Sequence, residues 1–149
     1  MTVVLAAATT ALFLLALAVH AIGYLDVRRA IASGRLVRTP FGPMHPFPFA
    51  ELGVNPDVTY LYVRYTLRPG QTARLEWAGC DAPYWAFTLY DLDLQHLDTP
   101  SHLSHRDRSG PVVATVGVGG DLDCGDTRDG VLVLRVIGGH DVPLPVLHG

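Results

Sequence analysis

The sequence predicts a mainly β protein: a small antiparallel β-sandwich, jelly-roll-like, preceded by one N-terminal transmembrane helix. Three features lead there. No residue from Val3 to Leu25 bears a fixed charge; from Asp57 onward apolar and polar residues alternate in steps of two; and no segment beyond the first carries a helical period. At 149 residues, 49% hydrophobic and 17% charged, the chain is too apolar for a disordered tail and too short for several domains. All 11 basic residues are arginines, and a net charge of -3 leaves no basic surplus to neutralise a phosphate backbone, so nucleic acid is not an expected partner.

Residues 1–34 read as the transmembrane helix and a helical stalk. The run VVLAAATTALFLLALAVHAIGYL is long enough to cross a hydrocarbon core of about 30 Å at about 1.5 Å per residue. Tyr24 stands where an interfacial aromatic belongs, Arg28 and Arg29 follow one turn on, and Gly34 is a good C-terminal cap. A cleaved signal peptide competes with this reading, because Val19-His20-Ala21 offers small residues for cleavage. The uncharged start Met1-Thr2 and the length of the apolar run favour a retained anchor. His20 has no second ionisable residue in the span to pair with, which argues against an intramembrane function. Arg28, Arg29, Arg35 and Arg38 all follow the span, and the positive-inside rule alone would keep the globular part cytoplasmic.

Residues 35–56 read as a proline-rich linker. Five prolines between Thr39 and Pro56 exclude a helix or a central strand, and Phe41, Phe47 and Phe49 are expected to pack on the domain that follows.

Residues 57–149 form the expected β-sandwich domain. In VTYLYVRYTL, Leu61, Val63, Tyr65 and Leu67 share one face while Tyr60, Tyr62, Arg64 and Thr66 share the other. Arg68-Pro69-Gly70-Gln71 is turn chemistry, and TARLEW then alternates again, so these two strands are expected to make an antiparallel hairpin. In YWAFTLYD, Trp85, Phe87 and Leu89 oppose Tyr84, Ala86, Thr88 and Tyr90, and apolar character on both faces suits a strand inside a sheet. Two β-branched runs, Val112 to Val118 and Val131 to Ile137, complete a minimum of five strands.

The stretches NPDVTYLYVRYTL, TARLEW and APYWAFTLYD resemble the bacterial envelope families known as domains of unknown function twelve fourteen and twelve fifty-four. Asn55, Pro56 and Asp57 match the start of the family's first strand. Tyr84, Trp85, Thr88, Leu89, Tyr90 and Asp91 match its central strand, and GVLVLRVI resembles its last. The resemblance spans Val54 to Ile137 and departs at Asp123-Cys124-Gly125-Asp126, where the family often has Asn-Trp-Leu-Pro. It implies one membrane helix and one β domain outside the cytoplasmic membrane, and no settled activity.

Several groupings carry possible chemistry. His96, His102 and His105, with Asp98 and Asp107 beside them, are competent metal ligands if their loop gathers the rings, although the spacing matches no standard motif. Asp121, Asp123, Asp126 and Asp129 lie among glycines, but a calcium loop of EF-hand type lacks its closing Glu, since position 132 is Leu132; a solvated turn is the expectation. Cys80 and Cys124 are candidates for a disulfide in an oxidising compartment. Ser104-His105-Arg106-Asp107 has triad residue types without implying triad geometry. Tyr84, Trp85, Tyr90 and Arg106 are the candidate binding residues. No cofactor is expected. The function these features favour is a non-enzymatic envelope module that binds a protein, glycan or lipid at the membrane surface. The alternatives are a metal-dependent enzyme using the three histidines, or an accessory subunit of a membrane complex.

Overall fold

The structure, a computed structural model, describes residues 2–32, 40–46, 57–106, 110–139 and 141–149. One helix, α1 (Thr2–Ala32), precedes ten strands: β1 (Gly42–Pro43), β2 (His45–Pro46), β3 (Val58–Thr66), β4 (Ala73–Trp77), β5 (Tyr84–Asp91), β6 (His102–Ser104), β7 (Val112–Gly117), β8 (Leu122–Asp123), β9 (Asp129–Ile137) and β10 (Val146–His148). They make two five-stranded sheets, ordered β1-β10-β4-β7-β8 and β2-β3-β9-β5-β6. Every pairing is antiparallel except the short parallel one between β7 and β8.

The alternation read from the sequence sets which side chains turn inward. Leu61, Val63, Tyr65, Trp85, Phe87, Leu89, Leu132, Leu134 and Val136 from one sheet are buried against Ala73, Leu75, Trp77, Val112, Ala114, Val116 and Leu147 from the other. Trp77 crosses the interface. Its ring meets Trp85 at 5.2 Å and Phe87 at 5.4 Å between centroids, both edge to face, while its Nε1–H donates to the Pro143 carbonyl at 2.8 Å. The longest ladder joins β3 and β9 over nine residue pairs, Val58↔Ile137 to Thr66↔Asp129. Arg64 closes one end of it with two bonds to the Asp129 carboxylate, 3.0 and 2.6 Å, to which Thr66 Oγ1 also donates. The pair is partly exposed, so it fixes register more than it adds stability. At Gly130, one rung inward, a Cβ would collide with the Tyr90 carbonyl and the buried Tyr65 ring, so only glycine fits.

Three expectations change. β3 and β4 are not a hairpin, because β3 pairs with β2 and β9 and β4 with β10 and β7. Residues 67–72 keep their turn, with Gln71 N–H on the Arg68 carbonyl at 3.0 Å and Gly70 at φ 76°. The connection is too long for a tight hairpin, and buried Leu67 carries the chain across the core to the opposite sheet. The presumed linker contributes β1 to one sheet and β2 to the other, with Met44 between them fully buried, and each strand sits at a sheet edge where proline is tolerated. Phe41 packs on the core as expected, whereas Phe47, Phe49, Asn55, Pro56 and the Gly34 cap lie outside the described residues. Third, no helix among the described residues is long and apolar enough to cross a membrane, so the expected span over residues 3–25 is not supported there.

Removing the Trp85 ring would leave a large cavity next to Trp77 and Phe87. Trp85→Ala is expected to lower unfolding stability by about 3 to 5 kcal/mol in urea titrations of the full chain, and a loss under ~0.5 kcal/mol would contradict the packing described.

Candidate functional site

The inward pull of Trp85, Phe87 and Leu89 obliges Tyr84, Ala86, Thr88 and Tyr90 to face outward on β5. The two small residues between two tyrosines leave a depression. Its floor is widened by the neighbouring strands, because Ala86 pairs across β9 with Arg135, which in turn pairs with Tyr60, and Thr88 pairs with Val133. The resulting cavity of about 250 Å³ is walled by Tyr60, Tyr84 and Tyr90, floored by Ala86, Thr88 and Val133, and rimmed by His96, His102 and Arg135.

Local hydrogen bonds place the rim. After β5, Asp91 N–H donates to the Gln95 carbonyl at 3.1 Å and the Asp91 carboxylate accepts Gln95 N–H at 2.8 Å, with Leu94 in the left-handed region at φ 58°. The loop so folded returns His96 to a bridge with Tyr90, ring to ring at 4.7 Å. His102 is opposite Thr88 in the β5–β6 ladder, and its Nδ1 shares a hydrogen bond with Thr88 Oγ1 at 3.0 Å. The Arg135 guanidinium carbon lies 5.8 Å from the Tyr60 ring centre and 6.0 Å from that of Tyr84, within cation–π range of both. Among the described residues no carboxylate pairs with Arg135. Burial, reinforced by the Tyr60 hydroxyl and opposed by Arg135, holds the Tyr90 phenol above its ordinary pKa, so it remains a donor at neutral pH.

The structure redistributes the expected site residues. Tyr84 and Tyr90 line the cavity. Trp85 is in the core, where the strand alternation sends it, and is unavailable to a ligand. Arg106 is exposed, does not line the cavity, and its backbone N–H donates to Ser104 Oγ at 3.3 Å. The three histidines do not converge: His96 sits on Tyr90, His102 on Thr88 and His105 on Tyr84 at 5.1 Å. Tyr84 and Tyr90 are about 20 Å apart along an extended strand, at about 3.3 Å per residue, far beyond any shared coordination sphere. Accordingly, no group of three or more His, Cys, Asp or Glu side chains that could hold a metal occurs among the described residues; Asp107 lies outside them. His105 Nδ1 is buried without a hydrogen-bond partner. Three of the four loop aspartates accept hydrogen bonds from the protein itself: Asp121 from Thr115 N–H and Oγ1, both at 2.9 Å, Asp123 from Gly125 N–H at 2.8 Å, and Asp129 from the Arg64 side chain at 3.0 Å.

Both cysteines are free, which corrects the disulfide expectation. Cys80 follows Gly79 beside Gly110, beyond the Trp77↔Val112 end of the β4–β7 ladder, and Cys124 hydrogen-bonds to Gly117 beyond the Ala73↔Val116 end. The five rungs between put them roughly 13 Å apart or more, and a disulfide requires Cα atoms within about 7 Å. Burial, then a nearby aspartate, raises the thiol pKa of each, which disfavours the nucleophilic thiolate.

Sequence reasoning missed Arg135 and Tyr60. A lone charge in the otherwise apolar GVLVLRVI was the available signal, since a charge in an inner strand must face out of the core.

Two larger depressions, about 460 and 410 Å³, lie on the outer face of the other sheet and are more open. Their charges neutralise one another: Arg74 meets Glu76 at 2.9 Å, and His148 lies 3.7 Å from the same carboxylate.

No family model and no curated protein matches the chain. A crystal structure of an uncharacterised protein from Burkholderia cenocepacia is similar in fold, with a TM-score of 0.63 over 71% of this chain at 17% identity. This chain spans about a third of that protein's length, 34%.

With both thiols free and their pKa values raised, non-reduced protein is expected to retain two titratable thiols. Reaction with a disulfide reagent at pH 8 should be slow until denaturant is added, and slowest at buried Cys124. A non-reduced mass two hydrogens lower would establish a disulfide and refute the free-thiol assignment.

Proposed function

We propose that this protein is a membrane-tethered binding module: a jelly-roll-like β-sandwich, anchored by α1, that engages a ligand through the tyrosine-walled cavity on the outer face of the β2-β3-β9-β5-β6 sheet. The observation that carries the binding reading is the cavity itself. Three tyrosines and an arginine without a carboxylate partner among the described residues line one depression with a floor of small side chains, an apolar-walled hollow with one fixed polar group of the kind that holds a small ligand. With the short edge strands β2 and β8 set aside, the strand orders β1-β10-β4-β7 and β3-β9-β5-β6, in which the chain crosses to the other sheet at every step except β5 to β6, support the jelly-roll description.

Two features support the anchor: the charge-free sequence from Val3 to Leu25, and the apolar side chains exposed among the described residues of α1. Leu12, Phe13, Leu14 and Leu15 follow one another in sequence and are each more than half exposed, an arrangement that water does not favour and lipid does. The resemblance to the envelope families twelve fourteen and twelve fifty-four supports a single-pass position in the cytoplasmic membrane with the sandwich outside. A partner protein, glycan or lipid at the membrane surface is the source of the ligand in this reading.

The full chain is expected to sediment with membranes and to resist carbonate extraction; release by carbonate would end the anchor reading. In ligand-observed NMR of the full chain in mild detergent, at least one ring probe among benzamide, benzoate, methyl glucoside and glucuronate is expected to bind and to lose binding in Tyr84→Ala. If none binds, or if binding survives that change, the cavity is not the ligand site.

A further inference from the structure

We infer that the cavity on the outer face of β5 and β9 takes a small ring compound bearing one carboxylate, with Arg135 on the carboxylate and the ring against the tyrosines that flank it, Tyr60 and Tyr84. This inference rests on the cavity being the module's ligand site.

The charge comes from the lining. The protein as a whole carries -3, yet no acidic side chain lines this cavity and its one fixed charge is the Arg135 guanidinium. Arg135 is exposed, and among the described residues its partners are two rings rather than a carboxylate. Tyr60 at 5.8 Å and Tyr84 at 6.0 Å approach the guanidinium carbon. Among the described residues no hydrogen bond engages its N–H fork, the part that matches a carboxylate with two parallel bonds. A single fixed cation suits a monoanion better than a phosphate monoester, whose charge is about -1.5 to -2.

The ring follows from shape. The walls are aromatic, and the floor of Ala86, Thr88 and Val133 offers methyl groups. A cavity of about 250 Å³ is the share of roughly eight waters at about 30 Å³ each, enough for one six-membered ring with its substituents. Tyrosine faces accept either an aromatic ring or the apolar face of a sugar. The shared chemistry is therefore a ring carboxylate, whether it belongs to an aromatic acid or to a uronic acid of a glycan.

The experiment titrates the full chain in mild detergent with two matched pairs, benzoate against benzamide and glucuronate against glucose, by calorimetry or ligand-observed NMR. The acid of at least one pair should bind about tenfold or more tightly than its neutral partner. That pair identifies the source. Arg135→Gln should abolish the advantage of the acid, and Arg74→Gln, the same charge change on the opposite sheet, should preserve it; near-UV circular dichroism verifies that both variants keep the fold. If acid and neutral partner bind alike, or the advantage survives Arg135→Gln, the carboxylate assignment is overturned while the cavity stands as long as Tyr84→Ala removes binding. If no probe binds, or Tyr84→Ala changes nothing, the cavity and the carboxylate fall together.

Discussion

The edge-to-face contact of Trp77 with Trp85 and Phe87 joins side chains from opposite sheets, and the rest of the molecule is arranged around that closure. Aromatic rings of this size bury more apolar surface than any other side chains, so the strand that carries two of them has little freedom in choosing its inward face. Once Trp85 and Phe87 point inward, the pleat sends Tyr84, Ala86, Thr88 and Tyr90 out. The cavity is thus a by-product of core packing: a slip of one residue in β5 would bury two tyrosines and expose a tryptophan.

The strand order determines which other side chains reach the cavity. β9 lies between β3 and β5 and pairs with both over most of its length, so each outward residue of β9 has one neighbour on either side. Arg135 consequently falls between Tyr60 and Ala86, although the three are far apart in sequence. The bidentate Arg64–Asp129 pair and the close approach at Gly130 lock the far end of the same ladder, and any register error there would carry Arg135 away from the rings that flank it.

The fold was legible in the sequence wherever a strand was long enough to show a period, and the boundaries of β5 coincide with the segment read from YWAFTLYD. The strands that escaped notice, β1, β2, β6, β8 and β10, have two or three residues each, too few to repeat an alternation. β3 and β4 were identified individually but not their partners. Turn chemistry at Pro69-Gly70 dictates a reversal of the chain, not the sheet into which the chain reverses. The cavity was half legible: Tyr84 and Tyr90 carried the family resemblance, whereas Tyr60 and Arg135 depend on a pairing of strands 75 residues apart in numbering, a distance over which local pattern holds no information. The histidines misled because closeness in sequence resembles closeness in space. An extended β5 separates His96 and His105 instead, each on its own tyrosine.

The two outer faces share one topology but differ in electrostatics. On the β1-β10-β4-β7-β8 sheet Arg74 and His148 share Glu76, and Asp121 is taken up by Thr115, so a charged ligand would have to displace an internal partner before it gained anything. On the other sheet Arg135 is held by neutral rings, which orient the cation without cancelling its charge. A cation–π pair of this kind contributes about 0.5 to 1 kcal/mol at an exposed site, and the exposed Arg74–Glu76 pair about as little, so the two faces differ in uncancelled local charge and not in the strength of their existing contacts. The difference in readiness between the faces therefore comes from what neighbours each arginine, a tyrosine pair or a glutamate, and not from cavity size, since the larger depressions belong to the face whose charges are already matched.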